Sequence, residues 1–393
     1  MADFKSLDSI FSQAVGSQAV AAKSIPGVVA VAATDKGVLY EGAFGRREIG
    51  KPAPMTLDTV VWIASMTKAI TAAAAMQLVE RGKLALERPA GEVVPELSAA
   101  KVLEGFDAAG KPRLRAPARP ITLRHLLTHT AGFSYEIWSP AIARFQQVTG
   151  TPGITTCTNA ALGTPLLFDP GEKWDYGINI DWAGKMVEAA SGQKLDRYLQ
   201  DHILGPLGMK DTSFKLSPSQ RARLSAVHQR GDDGALAAIE FGIPQEPEFH
   251  MGGGGLYGTA PDYLTFCRMI MNGGALDGAR VLQPGTVDLM AQNHIGPLEV
   301  GVLKTAIPPL SRDVELFPGM SKKWGLSFLI NTQESPTGRS ANSLAWAGLA
   351  NTYFWIDRTK RVCGVFLSQL LPFHDDAALD LFGRFETAVY RAR

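Results

Sequence analysis

Cysteine is scarce. Three residues, Cys157, Cys267 and Cys363, stand far apart in a chain of 393. Their odd number and wide spacing exclude a disulfide framework and any Cys-x-x-Cys metal or redox motif. They read as inert thiols in a reducing, cytoplasmic setting. Charge of one sign is also lacking. Lys and Arg number 39 against 38 Asp and Glu, a net charge of +1. No field of that size steers nucleic acid or an anionic membrane. Long apolar runs are missing too. The longest, near residues 69–79, is too short to span a bilayer. The opening "MADFKSLDSIFSQAV" has no basic segment followed by an apolar one, and reads as an amphipathic helix. What remains, 46% hydrophobic and 20% charged residues, suits a globular chain, and 393 residues suggest two domains or one large domain with a big insertion.

"GVVAVAAT" and "GVLYEGAFG" read as two strands joined by Asp35-Lys36-Gly37. A helix follows over 65–81, with Arg81-Gly82 as its C-terminal stop. Residues 83–120 are rich in proline and read as loop; "TLRHLLTHTAG" reads as a short helix capped by Thr122. Residues 150–175 read as irregular. Helices are predicted over 181–192, 194–204, 261–272, 284–293 and 375–391. "WGLSFLI", "SLAWAG", "NTYFWID" and "RVCGVFLSQ" read as strands. Strands at both ends with helices between them predict an α/β (α+β) fold. Its antiparallel sheet is built from residues 1–64 and 310–393, and a mostly helical domain, 65–309, is inserted. The cleft between them is the natural place for a site.

"ASMTKAITAAAAMQLVE", residues 64–80, contains the chain's anomaly. Ser65 and Lys68 are three residues apart and share a helix face. A serine hydroxyl attacks only when a neighbour takes its proton. Burial among Met66, Ile70 and the alanines can lower a lysine from about 10.4 by up to about 3–5 units, enough to make it that neighbour. The same spacing recurs at Ser98–Lys101 and Ser191–Lys194, in polar surroundings. Two readings of Ser65 stand level on spacing alone: a nucleophile, or an N-cap with a lysine snorkelling to solvent.

A wider pattern resembles the penicillin-recognising serine hydrolases. "SMTK" looks like their first motif, "LRHLLTHTAG" a further family stretch, and "PGEKWDYGIN" places Tyr176 where class C β-lactamases have the tyrosine of Y-x-N. "GPLGM" and "GGGGLYGTAPDYLTF" fit the same superfamily. Residue 178 is Ile rather than Asn, and the third motif is Trp346-Ala347-Gly348 rather than K-T-G, so its cation is absent. Trp-x-Gly is similar to the family VIII carboxylesterases. "VLEGFDAAGKPRLR", "ITLRHLLTHTAGFSY" and "YGINIDWAGKMVE" resemble fungal lovastatin acyltransferases, which pass an acyl group to an alcohol. The resemblance implies a serine β-lactamase-like fold and a serine esterase acting on short, uncharged carboxylic esters. Acyl transfer to an alcohol and weak cephalosporin hydrolysis are the alternatives. It implies Ser65 as nucleophile, Lys68 and Tyr176 as proton carriers, and the N–H groups of Ser65 and Leu349 as oxyanion hole. Such chemistry needs no metal or organic cofactor.

Trp346, Gly348, Tyr135, His250, Tyr257 and Trp355 are the expected substrate-binding residues, with Trp138 and Met251 as further candidates. Gly253, Gly255 and Gly258 match G-x-G-x-x-G but follow no clear strand, so they read as a tight loop. His125 and His129 lack a third metal ligand, and no G-x-S-x-G elbow exists to pair with them.

Overall fold

The computed structural model describes residues 4–15 and 24–392. Seven strands make one sheet: β1 (Gly27–Thr34), β2 (Gly37–Gly45), β3 (Lys322–Trp324), β4 (Leu329–Asn331), β5 (Leu344–Gly348), β6 (Thr352–Asp357) and β7 (Val362–Leu367). Their spatial order is β3-β4-β5-β6-β7-β1-β2, every pair antiparallel. The N-terminal hairpin thus docks on the last long strand, with Val31 opposite Val365. Strand β1 is buried from Gly27 to Ala33 because both faces of the sheet are covered.

Helix α1 (Lys5–Ala14) covers one face, and further along the chain come α2 (Thr67–Glu80), α3 (Leu123–Leu127), α4 (Pro140–Thr149), α5 (Asn179–Ser191), α6 (Ala260–Met271) and α7 (Asp376–Arg391). Phe11 of α1 lies 5.9 Å from Phe385 of α7, and both rings approach the same face. On the opposite face Tyr263 of α6 meets Phe354 of β6 at 5.1 Å. Among the described residues no helix is long and apolar enough to cross a membrane. The three cysteines are unpaired and buried.

Several elements depart from the sequence reading. "WGLSFLI" is not one strand: Ser327, at φ +72°, turns the chain so that β3 and β4 pair as a hairpin. The stretch read as loop holds a second hairpin, Val102–Phe106 with Pro112–Arg115. Gly110, at φ +79°, and the Asp107 carboxylate, which accepts from the Lys111 N–H at 2.8 Å, make its turn. Helix α4 was also unforeseen. Its signals are local: the Ser139 hydroxyl accepts from the Ile142 N–H, Pro140 opens the first turn, and Gly150 closes the helix in the left-handed region.

Candidate active site

Helix α2 is buried from Thr67 to Leu78, running through the molecule against α5. The chain enters it through Val61–Trp62, which pairs with Tyr257–Gly258, and through a single 3-10 turn, Ala64–Met66. Ala64 takes φ +47°, a conformation that costs a non-glycine residue about 1–2 kcal/mol. That turn presents Ser65. Strand β5 fixes it from the other side. A Cβ at Gly348 would lie 2.4 Å from the Ile63 carbonyl and 2.3 Å from Thr352 Oγ1, so the strand reaches the turn only as glycine. Leu349, the next residue, is thereby carried to the same cavity as Ser65.

The two readings left open for Ser65 separate here. Neither helical segment has a serine N-cap; Ile63 and Met66 occupy those positions. Lys68 does not snorkel, for none of its surface is exposed. The lysines of the other two pairs, Lys101 and Lys194, are exposed. Lys68 Nζ donates to Ser65 Oγ at 3.1 Å, to the Tyr135 hydroxyl at 3.0 Å and to the Gly253 carbonyl at 2.6 Å. Burial pulls its ammonium down to about 7, against the opposing pull of the Asp181 carboxylate. The three acceptors use all three Nζ hydrogens of the charged form, so either charge state is accommodated.

Tyr176 leads into the first turn of α5. Lys68 Nζ sits 4.6 Å from its ring centroid, and the Trp346 indole N–H donates to its hydroxyl at 2.9 Å. Burial raises its phenol above the ordinary value, while hydrogen bonds from Ser65 and Trp346 pull the other way. His129 stands behind this residue, ring centroids 4.7 Å apart. Its Nδ1 accepts from the Gly177 N–H at 3.4 Å and lies 3.0 Å from Asn179 Nδ2, so it braces the turn that carries Tyr176. His125 completes a capping box with Thr122. Among the described residues no three metal-ligating side chains converge.

A cavity of about 240 Å³ opens on Ser65. Trp62, Tyr135, Trp138, Tyr176, Phe241 and Trp346 give it aromatic walls, and Met251, Gly348 and Leu349 line it as well. Glu136 is its charged lining residue among those described. The structure therefore brings together Ser65, Lys68, Tyr135, Tyr176, Trp346, Gly348 and Leu349.

Three expected pocket residues lie elsewhere. Trp355 faces the back of the sheet, 5.5 Å from Phe385 and 5.8 Å from Phe382, because alternation along β6 sends it opposite to Phe354. His250 pairs with Asp196 at 3.2 Å and packs on Phe214. Tyr257 is held as a core residue, its hydroxyl accepting from the Ile243 N–H at 2.9 Å. The glycine run beside them is a loop that grips the Ser65 turn. Trp62 Nε1 donates to the Gly254 carbonyl at 2.6 Å, Ile63 N to the Leu256 carbonyl at 3.1 Å, and Leu256 N to Thr67 Oγ1 at 3.1 Å. Sequence reasoning placed Gly253 in a tight loop without linking it to Lys68, and missed Asp181 and Glu136. The only available signal was an aspartate in the apolar first turn of α5.

Comparison with known proteins agrees with this architecture. The Beta-lactamase family model matches residues 8–388. Monacolin J acid methylbutanoyltransferase of Aspergillus terreus is 35% identical, over 95% of this chain and 93% of its own. Lovastatin esterase of Penicillium rubens is 35% identical, over 93% of this chain and 94% of its own. The solved structure of unliganded simvastatin synthase from Aspergillus terreus superposes with a TM-score of 0.85 at 33% identity, covering 99% of this chain and 98% of that one. By its sequence match from end to end and by its β-lactamase-like fold, the chain belongs to the Beta-lactamase family.

Proposed function

We propose that this protein is a serine carboxylesterase that hydrolyses short, uncharged carboxylic esters through an acyl-enzyme on Ser65. The observation that carries the reading is the contact between Ser65 Oγ and a fully buried amine brought down to about 7. At neutral pH a large share of Lys68 is then free base, while Tyr176 is a protonated phenol. Lys68 takes the proton as Ser65 Oγ attacks the carbonyl carbon. The N–H groups of Ser65 and Leu349 receive the developing oxyanion, a contribution of about 3–4 kcal/mol per donor in other serine hydrolases. Tyr176 relays a proton to the leaving alkoxide and is reprotonated from Lys68. Water, activated in the reverse sense, then releases the acid.

The aromatic walls suit an apolar acyl group. No lysine or arginine lines the cavity among its described residues, and Glu136 would repel a carboxylate. This disfavours β-lactams, whose carboxylate needs a cation.

Acyl transfer is the second reading, favoured by the match over 95% of this chain to a methylbutanoyltransferase. It shares every step up to the acyl-enzyme, with an alcohol in place of water. The test is labelling by an organophosphate with peptide mapping, beside p-nitrophenyl butyrate hydrolysis with and without added alcohols. Labelling at Ser65, and loss of both labelling and turnover in Ser65→Ala, support the reading. A protein inert to both reagents overturns it. Ester product exceeding free acid at modest alcohol concentration selects transfer, and a chromogenic cephalosporin measures any lactamase side activity.

A further inference from the structure

Asp181 is the third residue of α5 and is 1% exposed. Its Oδ1 accepts from the Gly253 N–H at 2.8 Å. The carbonyl of the same Gly253 accepts from Lys68 Nζ at 2.6 Å. One glycine thus stands between a buried carboxylate and the buried amine, touching each. A Cβ on that glycine would come within 2.5 Å of Asp181 Oδ2, so only glycine admits the carboxylate at this distance. Neighbouring carbonyls are clamped as well: Thr71 Oγ1 donates to Gly252 at 2.8 Å and Trp62 Nε1 to Gly254 at 2.6 Å. The loop cannot slide without breaking the Lys68 contact.

The hydrogen bond to Gly253 does not require a charge at position 181. Asparagine would accept it equally well, and burying a carboxylate is costly. Oδ2 has no hydrogen-bond partner among the described residues. What an aspartate adds is negative charge beside Lys68. Two effects lessen its cost: the lysine itself, and the N-terminal end of α5.

We propose that Asp181 is a positioning residue for the reaction, holding Lys68 against Ser65 through the Gly253 peptide and setting how strongly Lys68 binds its proton. The proposal rests on the roles given above to Ser65 and Lys68. Other groups face this pair. Tyr135 and Tyr176 contact Lys68, His129 acts on it from behind Tyr176, and Cys157 and both tyrosines feel the Asp181 charge. The phenols and the thiol are raised and His129 is lowered, so all are neutral between pH 6 and 8. Burial raises Asp181 itself to about 6 against the pull of Lys68, so above that pH it is the charge left to act on Lys68.

The experiment compares Asp181→Asn and Asp181→Ala with wild type in two readouts. The first is the pH profile of ester hydrolysis with kcat and KM separated. The second is 13C NMR of lysine-labelled protein without substrate, which follows the Lys68 titration directly. In Asp181→Asn the plateau kcat stays within about tenfold of wild type. The acid limb and the Lys68 midpoint both move down by about one pH unit, because an attracting anion is gone. In Asp181→Ala the Gly253 N–H is unpaired and kcat falls more than tenfold, with KM little changed. An unmoved Lys68 midpoint in Asp181→Asn overturns the proposal, and so does a wild-type kcat in Asp181→Ala. Asp181→Asn is nearly isosteric and keeps the test decisive should the alanine variant fail to fold. If wild type shows no turnover while the NMR midpoint shifts, the esterase reading fails and the Asp181 assignment stands.

Discussion

The depressed lysine has a consequence that can be measured as a rate. With its ordinary value of 10.5, Lys68 would be free base in roughly three molecules in ten thousand at pH 7. At about 7 it is free base in roughly half, a gain of more than a thousandfold in available base. The net shift, burial less the opposing pull of Asp181, corresponds to about 5 kcal/mol against the ammonium. The acylation rate, read as the p-nitrophenolate burst in stopped flow, should therefore rise about tenfold per pH unit up to a midpoint near 7 and then level off. At pH 5 it should be about 1% of the plateau. A stability effect of the same origin follows. Between pH 7 and 10.5 the unfolded chain holds a proton on Lys68 that the folded chain lacks, so unfolding free energy rises with pH across that window. The penalty is complete below pH 7 and gone above 10.5. Lys68→Met should abolish the burst and lose this rise, making the difference between the two proteins in urea titrations change by about 3 kcal/mol from pH 8 to pH 10. A burst rate flat from pH 5.5 to 8.5, or a limb centred near 10, would refute the reasoning.

The two tryptophans of the C-terminal strands should part company. Trp346→Phe removes the N–H given to Tyr176 and should lower kcat by about tenfold, with thermal stability little altered. Trp355→Ala should cost about 3–5 kcal/mol in denaturant unfolding yet leave kcat/KM of the folded protein unchanged, since its ring packs on Phe382 and Phe385. Gly348→Ala should lower both Tm and organophosphate labelling, because the new methyl meets the Ile63 carbonyl and pushes β5 from the Ser65 turn. Glu136→Gln should raise kcat/KM for an ester bearing a carboxylate by several-fold while changing the neutral analogue little; equal change for both would show that Glu136 does not act through charge.

Local signals carried much of the fold into the sequence. The apolar runs either side of the Asp35-Lys36-Gly37 turn mark β1 and β2, and the Thr122 cap marks α3. The alanine-rich, almost uncharged run of α2, with Lys68 its exception, marks a helix buried on every side. The shared face of Ser65 and Lys68 was legible for the same reason, since three residues along a helix is a local distance, but the spacing left two readings level and the resemblance chose between them. Tyr176 and the Trp346-Ala347-Gly348 strand were found through resemblance, since nothing in their own neighbourhoods announces chemistry.

Helix α4 and the Val102–Arg115 hairpin were missed although their signals are local; the misplaced pocket residues share a different, long-range cause. "NTYFWID" does not say which of its alternating faces meets the cavity, and only packing of α6 against Phe354 and α7 against Trp355 assigns them. His250 and Tyr257 lie beside the glycine loop in sequence, yet Asp196 and the Ile243 amide hold them away from the cavity. Gly253 meets Lys68 across 185 residues and Asp181 across 72. The sequence by itself determined most of the helices, the N-terminal hairpin and the shared helix face of Ser65 and Lys68, because periodicity and caps act within a few residues. Tertiary structure alone decided which aromatic rings wall the cavity and how low the amine's proton affinity falls. Both depend on surroundings assembled from segments that meet only when the sheet closes.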